Sequence, residues 1–418
     1  MNAFANSQEF ESFLADLGLF HMDLGLGRIG GCLANLGLDS PGYAIVQVVG
    51  TNGKGSSSAY LAALAQAHGV DCGLFSSPHF LSPRERIKVR GSVAEEGVWL
   101  EAANTIHESQ AEPQTYFEYL TAMAAWIFRK EQVRVAVFEA GLGGTHDATS
   151  ALPAGFTLFT PVALDHCGVL GDTLTAIARD KAGAMQQGGR ALSAPQPSQV
   201  MLVLEDEARA KQVDFQRMDS PGIQPAWTGD ALPKQAAGTY LEDNARLAVA
   251  AWNRLAQDFG VSAEPDACTQ ALDRAALPGR LQHIAREPDQ HPELVLDGAH
   301  NPSGLAALKK SLAALGIEPK AVIFTCMEDK DLPAMAEGVR ALTKGPVIVP
   351  DMAHVERSRP AHEVAAALGR AAITALDMDH ALRLALAACK EPDHTALVCG
   401  SLYLLADFFT LRPLLVDF

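Results

Sequence analysis

A run of apolar, mostly β-branched residues feeding a glycine-punctuated turn restricts this chain more than any other feature: Ile45-Val46-Gln47-Val48-Val49-Gly50-Thr51-Asn52-Gly53-Lys54-Gly55-Ser56. The run suits a buried strand, and residues 56–68 carry a helical pattern, so the order predicts strand, loop, helix. Gly50, Gly53 and Gly55 permit positive φ and let backbone N–H groups converge on one point. Lys54 and the helix N-terminus add positive charge there, which suits a polyphosphate. The Ser56 hydroxyl is then placed to hold a magnesium ion. The spacing departs from the Walker pattern: Val48 stands where its first glycine would be, and Gly55 separates lysine from serine. A plain βα turn with a solvated lysine is the alternative; three glycines around one lysine favour the phosphate loop.

At 418 residues the chain exceeds what one core usually fills, so two domains are expected. With 48% hydrophobic and 20% charged residues it reads as a soluble globular protein. A net charge of −16 argues against nucleic acid and anionic membrane surfaces, so an anionic substrate must be met by locally placed cations. Seven scattered cysteines without a CxxC pair fit a reducing compartment, not a disulfide frame or a zinc site. Glu9, Glu11 and Asp16 stand where a signal peptide would be basic and then apolar. No run approaches the ~18 apolar residues of a membrane span. The expectation is a cytoplasmic protein.

Residues 7–17 form an amphipathic helix with Phe10, Phe13, Leu14 and Leu17 on one side. Asp23 to Gly27 is an irregular turn in which Asp23 either caps the next helix or touches a ligand. A strand over 70–75 ends in Ser76-Ser77-Pro78-His79, and ligands gather at the carboxyl ends of parallel strands. Arg84, Glu85, Arg86, Lys88 and Arg90 follow on a β segment, a basic patch that by default is a solvated face. A helix over 115–129 is rich in aromatics; Glu118 among them is the member expected to meet a ligand, since an unpaired buried carboxylate is costly. Strands over 133–138 and 156–164 end in Glu139 and in Asp165-His166, acids placed either to cap loops or to share a metal–phosphate site with the turn at 50–56. Lys181 lies in a helix over 172–185, where a lysine is ordinarily solvated.

Farther on, Pro195, Pro197, Pro221, Pro225, Pro233, Gly222 and Gly229 mark irregular structure before an alanine-rich helix that Asn244 enters. Leu277-Pro278-Gly279-Arg280-Leu281 breaks the pattern as an interdomain hinge. Strands over 294–296, 321–325, 347–349, 373–376 and 396–399 then alternate with helices, a second doubly wound sheet without a phosphate loop. Its first strand ends in Asp297-Gly298-Ala299-His300-Asn301. The next ends near Lys330, which either holds a substrate carboxylate or is solvated.

GTNGKGS at 50–56, SSPH at 76–79, TYFEY at 115–119, EAGLGG at 139–144, LDH at 164–166 and DKAG at 180–183 stand in an order and spacing that resemble the Mur ligase superfamily. DLGL at 23–26 with TYFE at 115–118 resembles its folate branch, the bifunctional dihydrofolate synthase/folylpolyglutamate synthase family. The resemblance spans essentially the whole chain. It implies an α/β fold with an N-terminal P-loop ATPase domain of Mur-ligase type over residues 1–280, and a smaller C-terminal Rossmann-like domain over 281–418. It also implies an ATP-dependent ligase joining L-glutamate to dihydropteroate and to reduced folates, acting as a monomer. By the same resemblance, Thr51, Asn52, Gly53, Lys54, Gly55 and Ser56 cradle the ATP phosphates, with Asn244 on the adenine side and Arg280 and Asp297 also on ATP. Ser77, Glu139 and His166 bind Mg²⁺; Lys181 carries a CO₂-derived carbamate that serves as a ligand for a second Mg²⁺. Asp23, Leu24, Gly25, Leu26, Thr115, Tyr116, Phe117, Glu118, His146, Asp147 and Ala148 match the pterin side. His300 lies near the incoming glutamate, and Lys54, Lys181 and His300 are implied to be catalytic. Thr145-His146 replaces the family's Arg-Leu, removing a positive charge; Ser150 replaces Asn and Asp180 replaces Glu. A cell-wall Mur ligase would need a further domain for its nucleotide-sugar, and the loop at position 50 leaves little room for one.

Overall fold

The computed structural model describes residues 3–19, 23–220, 236–369 and 372–416. One sheet contains β1 (Ala44–Val49), β2 (Cys72–Phe75), β3 (Ile87–Val89), β4 (Ser92–Val93), β5 (Val135–Glu139), β6 (Phe156–Phe159), β7 (Arg190–Ser193) and β8 (Asp214–Arg217), in the order β4-β3-β2-β5-β1-β6-β7-β8. β1 lies centrally between β5 and β6, parallel to both, with Val48 opposite Glu139 and Val49 opposite Phe159. The three strands therefore end together, and the loops that follow them open on one edge.

Alternation sorts the side chains between two faces. Val46, Val48, Val135 and Val137 join Leu61, Leu64, Trp252 and Leu272 from helices Lys54–Ala67, Tyr240–Leu255 and Pro265–Arg274. Ile45, Ala136 and Phe138 join Phe10, Trp99, Tyr119 and Phe128 from helices Ser7–Asp16, Glu96–Ser109 and Tyr116–Lys130. Phe10, Tyr119, Phe128 and Phe138 are fully buried; each such side chain contributes roughly 1.5–3 kcal/mol of hydrophobic stabilisation.

The second sheet contains β9 (Gln282–Ile284), β10 (Glu293–Leu296), β11 (Ala321–Phe324), β12 (Val347–Pro350), β13 (Ala372–Ala375) and β14 (Thr395–Cys399), in the order β13-β12-β11-β14-β10-β9. All neighbours are parallel except β9, which runs antiparallel to β10. The five expected strands are present; β9, three residues long, left no readable pattern.

Three local expectations need correction. The strand over 156–164 stops at Phe159. Beyond it Pro161 has no N–H for a ladder and instead accepts the N–H groups of Thr51 and Asn52 (3.0 and 3.2 Å), so 160–166 is a loop laid along the phosphate turn. Residues 84–90 are not one β segment: Pro83–Arg86 is a 3₁₀ turn closed by a Ser82–Glu85 capping box, and Arg86 is buried rather than solvated. The helix expected over 172–185 is shorter, Leu174–Ala182, and is capped by Thr173. Pro221, Gly222, Pro225, Gly229 and Pro233 lie outside the described residues. The seven cysteines are free, and all but Cys167 are buried. Among the described residues, no helix is long and apolar enough to cross a membrane.

Candidate active site

The helix after β1 begins at Lys54, with left-handed Gly53 (φ 84°) as its N-cap. A Cβ at Gly53 would lie 2.4 Å from Asn244 Oδ1, and one at Gly50 would lie 1.9 Å from Thr160 Oγ1, so both glycines are demanded by close approach. Asn244 is buried against this loop, and its Nδ2 has no hydrogen-bond partner among the described residues. Lys54 Nζ folds onto the carbonyls of Gly50 and Thr51, 3.3 Å each. Ser56 Oγ is buried and likewise without a partner.

Glu139, at the end of β5, faces the same loop: a Cβ at Gly55 would lie 3.5 Å from its Oε1. Its Oε2 accepts the Ser77 N–H (2.9 Å), which joins the Ser-Ser-Pro-His turn to the acid. Burial raises the Glu139 pKa, opposed by Lys54, the Ser77 N–H and Arg280. Lys181 is 4% exposed, not solvated, and its Nζ donates to the Gly50 carbonyl at 2.8 Å. Burial first, and then neighbouring Lys54, push its pKa down to about 7.

The two sheets meet over these groups. Asn301 Nδ2 donates to Asn52 Oδ1 (2.9 Å) and to Asp165 Oδ2 (3.0 Å), while Asn52 Nδ2 donates to Ser303 Oγ (2.6 Å). Lys330 Nζ donates to Asp165 Oδ1 at 2.5 Å, with both side chains buried, so the solvated reading of Lys330 is overturned. His300 Nε2 lies 3.5 Å from Asp165 and its Nδ1 is 2.8 Å from the Gly298 carbonyl. Burial alone would raise the Asp165 pKa, but His300, His166 and Lys330 hold it well below the usual carboxylate range. His166 sits at left-handed φ (50°) and faces Asp329 at 3.4 Å. Among the described residues, no three His, Cys, Asp or Glu side chains form a ready metal-binding group. Arg280 lies beside Gly298, where a Cβ would be 2.3 Å from its Nη1. Asp297 accepts from Tyr240 Oη (2.5 Å) and from the N–H groups of Leu281 (3.0 Å) and Ala299 (2.9 Å), which ties the hinge to the second sheet.

On the other flank, Asp23 caps no helix; it pairs with Arg28 at 2.7 Å, and Arg28 also reaches Glu118 at 3.1 Å. Glu118 accepts the Thr115 N–H (2.8 Å) while Thr115 Oγ1 accepts the N–H of Glu118 (3.4 Å), a capping box. Its carboxylate is therefore satisfied within the fold and does not require a ligand. Asp147 accepts from the N–H groups of Leu142 (2.8 Å) and Thr149 (3.0 Å) and caps the turn Ala148–Ala151. Ala148 is buried and His146 exposed. Phe117 closes on Gly141, where a Cβ would lie 2.8 Å from its ring, while Leu24 is 60% exposed and Gly25 and Leu26 half-buried. Thr145 Oγ1 donates to the Asp180 carbonyl (2.8 Å), and Ser150 Oγ to the Gly144 carbonyl (2.6 Å). Arg28 and the interdomain role of Asp165 escaped the sequence reading, in which Arg86 stood only as part of a solvated patch; for Asp165 the local signal was the Asp-His pair at the end of an apolar run.

Residues 279–402 match the family described as Mur ligase, glutamate ligase domain. The probable bifunctional folylpolyglutamate synthase/dihydropteroate synthase of Haloferax volcanii is 31% identical over 96% of this chain, which spans only 50% of that longer protein. The dihydrofolate synthase/folylpolyglutamate synthase of Escherichia coli is 30% identical, covering 94% of this chain and 93% of that protein. The chain belongs to the dihydrofolate synthase/folylpolyglutamate synthase family. The bifunctional folylpolyglutamate synthase/dihydrofolate synthase of Yersinia pestis, solved with AMPPNP and a manganese ion, superposes with a TM-score of 0.85 at 26% identity, over 99% of each chain. In this family member, the turns after β1, β2 and β10 converge with Glu139 at the end of β5 and the buried Lys181.

Proposed function

We propose that this chain is an ATP-dependent amide ligase that adds L-glutamate to dihydropteroate and to reduced folates through an acyl phosphate. The observation that carries the reading is the clasp of the phosphate loop, with Glu139 and Lys181 beside it, against the Asp297–Asn301 turn of the second sheet. ATP and the pterin-bearing acid lie on residues 1–280, and residues 281–418 present glutamate.

A carboxylate is a poor acyl donor, so its oxygen attacks the γ-phosphorus of ATP and ADP leaves. Lys54, the loop N–H groups and Arg280 stabilise charge on the transferring group, and Asn244 and Asp297 complete the nucleotide side. The glutamate amine then attacks the acyl carbon, and phosphate departs from the tetrahedral intermediate; His300 stands on that side. The half-buried Asn52–Asn301 and buried Asp165–Lys330 contacts keep water from the acyl phosphate. The unpartnered Ser56 hydroxyl and the Glu139 carboxylate beside Gly55 fit a hard cation such as Mg²⁺. Ser77, His166 and a carbamate on Lys181 complete the set proposed for two ions. When bound, these ions neutralise phosphate oxygens. A lysine whose pKa is pushed down to about 7, and so is about half neutral at that pH, supports the carbamate, because CO₂ adds to the free amine. Free cysteines support a reducing, cytoplasmic location.

The test mixes the protein with Mg-ATP, L-glutamate and either dihydropteroate or tetrahydrofolate, and follows phosphate release together with product mass. Glutamylated product from both acceptors is expected; product from one reduces the reading to a single activity. Phosphate release without an adduct, or no release, would end the substrate assignment.

A further inference from the structure

Arg86 is a cation that the chemistry above does not use. It is 4% exposed, on the turn Pro83–Arg86 that packs behind Ser76-Ser77-Pro78-His79. Its Nε donates to His79 Nδ1 at 2.9 Å, which requires that nitrogen to be unprotonated. Its guanidinium carbon lies 5.2 Å from the Tyr116 ring centre. The nearby carboxylates are engaged elsewhere: Glu85 accepts the N–H groups of Phe80, Leu81 and Ser82 at 2.7, 2.6 and 2.6 Å, and Glu139 accepts that of Ser77 at 2.9 Å. Among the described residues, neither amino group of Arg86 makes a hydrogen bond or ion pair. Among the described residues, this buried guanidinium is held by one neutral imidazole and one ring face, with Glu85 and Glu139 acting on its charge but no anion in contact, and such a charge is costly unless a ligand supplies one.

Its place says which anion. Tyr116 adjoins Phe117, which closes on the glycine loop at Gly141, while Glu139 and Ser77 stand beside the phosphate loop. Glu139 and, from the second sheet's domain, Tyr403 are close enough to Arg86 to act on its charge. Arg86 thus stands between the pterin-side wall and the phosphate site, where an acceptor reaching from one to the other must carry its carboxylate.

We propose that Arg86, aimed by His79, binds the carboxylate end of the acceptor and turns it toward the phosphate loop, selecting pterin-type acceptors that are anionic there. The inference rests on the ligase reading and names the group that recognises its acceptor. A planar fork of donors suits a carboxylate that must be held in one orientation.

The test is equilibrium titration of the full chain, without ATP, with dihydropteroate and with its carboxamide, which keeps the shape and loses the charge. Wild type prefers the acid. Arg86→Gln is expected to lose about ten- to a hundredfold in affinity for the acid, the scale of one hydrogen-bonded charge. Affinities for the carboxamide and for ADP stay unchanged. Arg86→Lys, which keeps the charge without the fork, loses roughly three- to tenfold for the acid alone and decides the matter if the glutamine variant does not fold. Equal loss for acid and carboxamide would make Arg86 a prop for the Tyr116 wall and overturn the proposal, as would no loss. If wild type bound neither compound, the acceptor assignment itself would fall, and this inference with it.

Discussion

Replacing Lys181 by methionine keeps most of the side chain's length and apolar stem while removing the amine. With its pKa pushed down to about 7, about nine-tenths of Lys181 is neutral at pH 8, against roughly 0.3% for an ordinary lysine. Burial therefore enriches the CO₂-reactive amine by about 300-fold. If the resulting carbamate helps hold a cation at the transferring phosphoryl group, Lys181→Met should lower kcat by roughly 10²–10³, the scale for losing one preorganised electrostatic group. ¹³C-labelled bicarbonate should give a carbamate resonance in wild type that the variant lacks. Activity in CO₂-depleted buffer should fall and return on adding bicarbonate. The sign with pH follows: protonation below about pH 7 blocks carbamate formation, so both resonance and turnover should rise as pH climbs through that value. Because the folded pKa lies below the unfolded one, the stability cost of this buried charge is full below about pH 7 and is relieved as pH rises toward 10.5. Near-normal turnover of Lys181→Met, with or without bicarbonate, would refute the reasoning.

Asp165→Ala leaves buried Lys330, among the described residues, with only Asp329, 3.3 Å away; a destabilisation of about 2–3 kcal/mol, less than for a wholly unpaired charge, should appear in denaturant unfolding with a raised KM for glutamate. Unchanged values for both would mean that the clasp carries no weight. Gly53→Ala puts a methyl group 2.4 Å from Asn244 Oδ1 at left-handed φ, at a cost of roughly 1–2 kcal/mol from the backbone alone. ADP affinity should fall at least tenfold, and Asn244→Ala in the same chain should recover part of it; wild-type affinity in the single variant would contradict this. Glu118→Ala removes the capping box and one of the two acids paired with Arg28, so about 1–2 kcal/mol of stability should be lost while acceptor KM changes less than tenfold. A larger loss confined to the acceptor would return Glu118 to the ligand.

What could be read from the sequence was set by how local each determinant is. β1, β5, β10 and β14 are buried on both faces, so their apolar runs announce themselves, and the turns that follow carry glycines and acids next to them in sequence. The 3₁₀ turn at 83–86 had a local signature as well: Ser82 followed three residues later by Glu85 is a capping box, masked by the charges around it. The loop over 160–166 was mistaken for strand because Val162, Ala163 and Leu164 prolong the apolar run, although Pro161 already forbids the ladder. By contrast, the burial of Lys330 depends on a carboxylate 165 residues away, and the environment of Asn52 on an asparagine 249 residues away. No periodicity encodes such pairings.

Those distant pairs constrain how the site can work. The phosphate loop touches the second sheet's domain through Asn52 with Asn301 and Ser303, and the loop after β6 touches it through Asp165 with Lys330 and Asn301. Asn301 belongs to both contacts, so a movement that withdraws it weakens the two together. On the proposed reading, glutamate enters and product leaves on this side, near His300. Either these contacts break in each cycle, or a path past them stays open. In the first case Asp165→Ala should speed product release as it weakens glutamate binding, raising KM more than it lowers kcat; in the second it should leave release unchanged. The division between kcat and KM in that one variant therefore tells whether this interface is a gate or a fixed wall.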